Sequence, residues 1–168
     1  MNKPVINLDQ LEFRRFGKGE KFEAERAEVG RHIGAEKLGY AVVRVPPGKR
    51  AWPYHAHCNL EEMFHILAGV GTLRHAGEEY PVRAGDFICS PADPQQPHQL
   101  VNTSDEDLVY IALGTEPGTD VMLYPDSGKV GAWHRDSRNA DNPEHVHLFV
   151  RETSRVDYWD GETDDHQD

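Results

Sequence analysis

From residue 38 onward the chain alternates between short apolar or alternating runs and breaks rich in glycine and proline. The runs fall at 38–45, 51–57, 62–67, 71–74, 79–82, 86–90, 98–101 and 108–113. Segments of this length, separated by turn residues at near-regular intervals, predict an all-β barrel or sandwich. Pro46-Pro47-Gly48, His75-Ala76-Gly77-Glu78 and Arg83-Ala84-Gly85-Asp86 supply the turns, with Gly77 suited to a left-handed position between two strands. No long amphipathic helix competes with this pattern. In the run 62–67, Phe64 and Ile66 lie on one face and Met63 and Leu67 on the other, so both faces are apolar. Such a strand fits a barrel wall covered from outside, by the N-terminal segment or by a second subunit, and a homodimer is expected on this ground.

The flanks read differently. Residues 1–37, with mixed charge from Arg14 to Arg31, predict an N-terminal arm packing on the barrel, extended and carrying one short strand around 11–16. Residues 38–114 form the barrel, 115–159 a set of C-terminal strands and loop, and 160–168 a mobile acidic tail without Lys or Arg. Val121-Met122-Leu123-Tyr124 predicts a further strand and 135–145 a loop. Pro125-Asp126-Ser127-Gly128-Lys129 has the residues to cradle an anion, but a plain turn is the better reading.

At 168 residues the chain is large enough to bury a core without staples. Its two cysteines, Cys58 and Cys89, make no CxxC pair, which predicts free thiols. A net charge of −11 with acids and bases intermixed argues against a nucleic-acid partner. No stretch reaches the length of a membrane span, and the first twenty residues, which include Asp9, Glu12 and Glu20, hold no apolar signal core; a soluble, cytoplasmic protein is expected.

The chemistry concentrates in His55, His57, Glu62 and His98. On an extended strand His55 and His57, two apart, face the same way, whereas a helix would splay them by about 200°. Cys58-Asn59-Leu60-Glu61 is long enough to turn the chain back beside them and deliver Glu62. Glu61, the competing carboxylate, falls on the opposite strand face. His98 follows a proline-rich loop and joins only in a fold that unites non-adjacent strands. These four predict one divalent transition metal per chain, with Zn, Mn, Fe, Ni and Cu all compatible with imidazole and carboxylate donors. Four ligands on an octahedral ion leave two positions for water, dioxygen or a bidentate ligand. A second HxH at His145 and His147 has no matching carboxylate or distant histidine and predicts a surface strand. His65 points off the ligand face, and His75 falls in a turn.

Gly48, His55, His57, Glu62 and Gly69, followed by Gly85, Pro91, His98 and Asn102, resemble the two ordered motifs of the cupin superfamily. The resemblance spans roughly residues 38–114, and two motifs in order are far more specific than a lone HxH. One residue more than usual separates Gly48 from His55, and the stretch from Pro91 to His98 is longer by about two, with Asp93 where glycine is usual; both differences fall in loops. The resemblance implies a double-stranded β-helix, or jelly-roll barrel, with the same four residues as metal ligands. It also implies a small-molecule ligand. The leading expectation is a metal-dependent enzyme on a small oxygenated metabolite, a sugar or sugar-phosphate isomerase or a dioxygenase; the alternative is a non-catalytic binding or sensing protein with a structural metal. Trp52 or Tyr54 is expected at the cavity mouth, and Arg44, Arg74, Gln99 and Tyr110 are the candidates for an acid or base.

Overall fold

The computed structural model describes residues 3–134 and 146–162. Among these residues there are thirteen strands: β1 (Arg14–Lys18), β2 (Phe22–Glu28), β3 (Leu38–Val45), β4 (Ala56–His57), β5 (Glu62–Ala68), β6 (Val70–His75), β7 (Glu78–Arg83), β8 (Phe87–Ser90), β9 (His98–Val101), β10 (Leu108–Thr115), β11 (Thr119–Tyr124), β12 (Lys129–His134) and β13 (Val146–Arg151). One four-residue helix, α1 (Gly30–Ile33), links β2 to β3. A six-stranded sheet in the order β1-β2-β3-β10-β5-β8 accompanies a three-stranded sheet β7-β6-β9 and a four-stranded sheet β13-β12-β11-β4. Strands distant in sequence thus lie side by side, and the result is the expected jelly-roll β-barrel. No helix among the described residues is long and apolar enough to cross a membrane.

The alternation of side chains builds the core. On β3 and β10, Val43 and Val45 meet Tyr110 and Leu108 in register, and Tyr110 in turn meets Ile66 on β5. All five are essentially sealed from water. Phe64, Leu73, Val82, Ile88 and Leu100 complete the same cluster. Between β6 and β7 the predicted turn forms, with Ala76 at φ 49° and Gly77 at φ 87°, the paired left-handed geometry of a tight hairpin. Gly69 is required for a second reason as well: besides its φ of 81°, a Cβ there would lie 2.3 Å from the carbonyl oxygen of Asp107.

Three sequence expectations need correction. The N-terminal region holds two strands, not one, and they extend the main sheet beyond β3 instead of lying over β5. The run 51–57 is not one strand: 51–54 bends, His55 makes an isolated bridge to His98, and only Ala56–His57 pairs with β11. Prolines and glycine upstream leave this segment without a ladder partner. Third, His75 is the last residue of β6, opposite His98, and not a turn residue. The second HxH lies partly, and 135–145 and 163–168 wholly, outside the described residues; His147 sits on β13, whose residues are all exposed.

Asn102 locks the lower part of the barrel. Its side chain, fully buried, donates to the carbonyls of Val45 at 2.8 Å and Glu106 at 2.7 Å, and accepts from the amide and hydroxyl of Ser104. Asn102→Ala would strand the buried Val45 carbonyl, while the exposed Glu106 carbonyl keeps the Ser104 hydroxyl, so it should destabilise the fold by about 2 kcal/mol in urea unfolding. A change below about 0.5 kcal/mol would mean that water or relaxation replaces the side chain.

Candidate metal centre

β5 enters the barrel at Glu62, opposite Gly114 on β10 and Ser90 on β8, and directs the carboxylate inward. His55 and His98 are fixed by a reciprocal backbone bridge, with His55 N–H to His98 C=O at 3.2 Å and the reverse bond at 2.7 Å. His57 sits on β4, paired with Met122 of β11. The turn 58–61 therefore does not fold back into a hairpin with the histidine segment. It crosses from one sheet to the other, so Glu62 faces the imidazoles across the interior rather than beside them.

The four predicted ligands come together, unequally. One ligand atom from each of His55, Glu62 and His98 lies within 4.8 Å of the others. Glu62 Oε2 is 2.8 Å from His98 Nε2 and 3.5 Å from His57 Nε2. His57 falls outside the tighter trio but directs its Nε2 at the same oxygen. Each of the first two histidines has its other nitrogen occupied: His55 Nδ1–H donates to the Pro53 carbonyl at 2.8 Å, and His57 Nδ1–H donates to Asp120 Oδ2 at 2.5 Å. Both Nε2 atoms are left for the interior. Glu61 instead faces the opposite way, with its backbone bonded to Thr115.

The residues fit a divalent metal. Glu62 Oε2 and His98 Nε2 are buried and close, yet among the described residues neither has an aligned hydrogen-bond partner. Two buried polar atoms that approach without bonding are the arrangement of donors aimed at a shared third atom. Burial and the neighbouring His98 lower His55 to a pKa of about 4, so its lone pair is available at neutral pH. Burial favours a neutral Glu62, but the imidazoles of His57 and His98 outweigh it and hold the carboxyl well below its usual range. Burial also opposes charge on His57, but Asp120 and Glu62 raise it to about 9, so a metal there would displace a proton.

Asp120 was not predicted. It is fully buried, takes the His57 Nδ1–H on one oxygen, and on the other accepts the amides of Cys58 at 3.1 Å and Asn59 at 2.8 Å. It therefore aims the imidazole and pins the crossing turn. The available signal was an acid at an inward position of an otherwise apolar strand, in step with Met122 and Tyr124. Tyr124 stacks on His55 at a centroid distance of 5.8 Å and 14° between planes.

The centre opens into a cavity of about 790 Å³ whose lining includes Trp52, Phe64, Gln99, Tyr110, Met122 and Tyr124. Trp52 lines the cavity and packs on Phe16. Tyr54 does not: its hydroxyl accepts the Gly77 amide and its ring carries the Arg74 guanidinium 4.2 Å away. Of the four candidate acids and bases, Arg44 lies on the outer face against Glu25 and Phe13, and Arg74 is held by Asp126 and Gln99. Gln99 and Tyr110 face the cavity. Burial and the Glu62 charge push the Tyr110 hydroxyl upward, so it remains a proton donor. His65 stacks on Phe87 away from the centre, and Lys129 lies over the Tyr124 and Phe149 rings rather than in an anion cradle.

Fold and site together define a cupin. The family model for the Cupin domain matches residues 41–114. The oxalate-binding protein of Thermotoga maritima is 30% identical over 108 residues, which is 64% of this chain and 86% of that protein. The chain belongs to the cupin superfamily. Among solved structures, a protein from Acidithiobacillus ferrooxidans proposed to be a sugar phosphate isomerase superposes with a TM-score of 0.65 at 28% identity, over 79% of this chain and 80% of that one. A sugar phosphate isomerase of the same superfamily from Silicibacter pomeroyi shares the fold, with a TM-score of 0.75 at 24% identity over 90% of this chain and 94% of that one.

If Asp120 orients a metal ligand, Asp120→Ala should weaken zinc binding about 10–100-fold in a chelator competition. Unchanged affinity in a folded variant would remove Asp120 from the account.

Proposed function

We propose that this cupin binds one divalent transition metal through His55, His57, Glu62 and His98 and is an enzyme acting on a small oxygenated metabolite, of the sugar or sugar-phosphate class, by isomerisation. The observation that carries the reading is the convergence of an ionised, buried carboxylate and imidazole nitrogens at the inner end of a cavity large enough for a six-carbon sugar derivative. The Acidithiobacillus structure supports it, because the likeness extends over most of both chains. Bound at these residues, the metal supplies Lewis-acid polarisation of a carbonyl or hydroxyl oxygen. The chain's own residues shape the surroundings of the substrate. Phe64, Met122 and the Tyr124 ring exclude water, and the Tyr110 hydroxyl, kept protonated, donates a hydrogen bond to a substrate oxygen. Gln99 is already engaged by Arg74 and by the Trp52 carbonyl at 2.7 Å, so it shapes the wall instead of moving a proton.

A second reading has one specific observation in its favour, the relation to the oxalate-binding protein of Thermotoga maritima. On that reading the centre binds a small dicarboxylate, with decarboxylation or dioxygen chemistry or with no catalysis at all. The two readings share the metal and part company over substrate. Purified protein should carry about one metal per chain by elemental analysis, and His57→Ala and His98→Ala should lose most of it. The loaded protein should exchange the C2 proton of an aldose phosphate with solvent deuterium. Retention of full metal by both variants would overturn the ligand assignment; turnover of oxalate without any exchange on aldoses or their phosphates would favour the second reading.

We also propose a homodimer. β1 and β2 extend the sheet edge and leave the outer face of β5 uncovered, where Leu67 is 38% exposed and Phe87, stacked on His65, is 69% exposed. Light scattering should give twice the chain mass, and Leu67→Glu with Phe87→Glu should halve it. A monomer at every concentration would contradict the proposal.

A further inference from the structure

The N-terminal hairpin does more than lengthen a sheet. Its register continues a row that runs into the core: Arg14 faces Arg26, Arg26 faces Val43, Val43 faces Tyr110 and Tyr110 faces Ile66. Arg14 and Arg26 accordingly line the same cavity as the metal centre, joined there by Arg31 and His32 from α1. Opposite faces of the hairpin treat charge differently. Outside, Arg15 pairs with Glu23 and Arg44 with Glu25. Inside, Arg26 pairs with Glu28, while Arg14 pairs with none of the described residues.

Two guanidiniums directly opposed across a strand pair repel each other and cost stability. The fold nevertheless places Arg14 against Arg26 at the cavity and adds Arg31. Arg14, Arg26, Arg31 and His32 gather beside Glu12 and Glu28 on the hairpin and helix side of the cavity, whose third lining acid is Glu62 at the metal centre, in a chain whose net charge is −11. A cationic pole at one end of a cavity, on a strongly acidic protein, is a local arrangement for an anion and not a consequence of overall charge. Guanidiniums in pairs match the oxygens of a phosphate through forked hydrogen bonds.

We propose that Arg14 and Arg26 hold the phosphate of a phosphorylated sugar whose hydroxyl and carbonyl end meets the His–Glu centre. The proposal deepens the reading of that centre as a metal site for an oxygenated metabolite and names its substrate class. Oxalate fits the arginine pole poorly as an explanation, because a two-carbon dianion chelated at the centre would leave most of the cavity of about 790 Å³, and both arginines, unused.

The test uses the full chain in zinc-loaded and chelator-treated forms, with calorimetric titration of glucose 6-phosphate, glucose, inorganic phosphate and oxalate. Glucose 6-phosphate should bind more tightly than glucose, and the preference should shrink with added salt. Arg14→Gln should weaken glucose 6-phosphate by about tenfold or more, the loss expected for a hydrogen bond to a charged group, while leaving oxalate binding to the zinc form unchanged. Arg15→Gln, on the outer face, should change nothing. Inorganic phosphate should bind the chelator-treated protein and be weakened by the same Arg14 substitution. That metal-free arm separates the two claims: phosphate binding through Arg14 in a protein that never takes up metal would sustain the arginine pole and sink the metal-enzyme reading. Oxalate binding with no preference for phosphorylated over plain sugar would overturn the pole and leave the metal centre intact. Wild-type affinity for glucose 6-phosphate in both Arg14→Gln and Arg26→Gln would also overturn it.

Discussion

A carboxylate buried among apolar side chains must find positive charge or donors, and the placement of Glu62 imposes that demand on the whole barrel. Phe64, Ile66 and Tyr110 surround it with hydrocarbon and ring, and its Oε2 has no aligned hydrogen-bond partner among the described residues. His98 and His57 answer from two other strands, and they stay in place only because the backbone bridge to His55 and the carboxylate of Asp120 fix them. The jelly-roll order, which sets β9, β4 and β5 around one interior, is what lets residues from 55 to 120 share a single point. A divalent cation completes that cluster more fully than protons do, since a proton can serve one imidazole–carboxylate contact at a time and an ion serves all of them.

The same sheet carries a second polar region. Registers from β1 to β5 place the inward arginines of the hairpin and the carboxylate of Glu62 on one continuous surface, so one cavity is lined both by Arg14 and Arg26 and by the His–Glu cluster. Aromatic and apolar side chains separate the two. This arrangement depends on extending the main sheet by two strands beyond the core barrel, a region that supplies none of the proposed metal ligands.

Much of the centre was legible because its residues obey short-range rules. His55 and His57 share a face by strand period, and Glu62 rather than Glu61 keeps the inward face. His98 needed the motif resemblance as well, since nothing local links it to His55. What escaped notice was long-range. Asp120 lies 63 residues from His57, and its importance comes from burial against one nitrogen. The N-terminal arginines looked like an ordinary mixed-charge arm until the register with β3 showed which of them turn inward. The crossing turn at 58–61 looked like a hairpin because its length permits one; the Asp120 carboxylate, bonded to the Cys58 and Asn59 amides, sends it to the other sheet instead.

The central claim is that one metal sits among these imidazoles and the Glu62 carboxylate. X-ray absorption at the metal edge of the reconstituted protein tests it most directly, because imidazole rings give a distinct outer-shell scattering pattern. A first shell of nitrogen and oxygen only is expected, with an outer shell fitted by three imidazoles that falls to two in His55→Ala. A sulfur scatterer, as from Cys58, or a spectrum without imidazole scattering would contradict it.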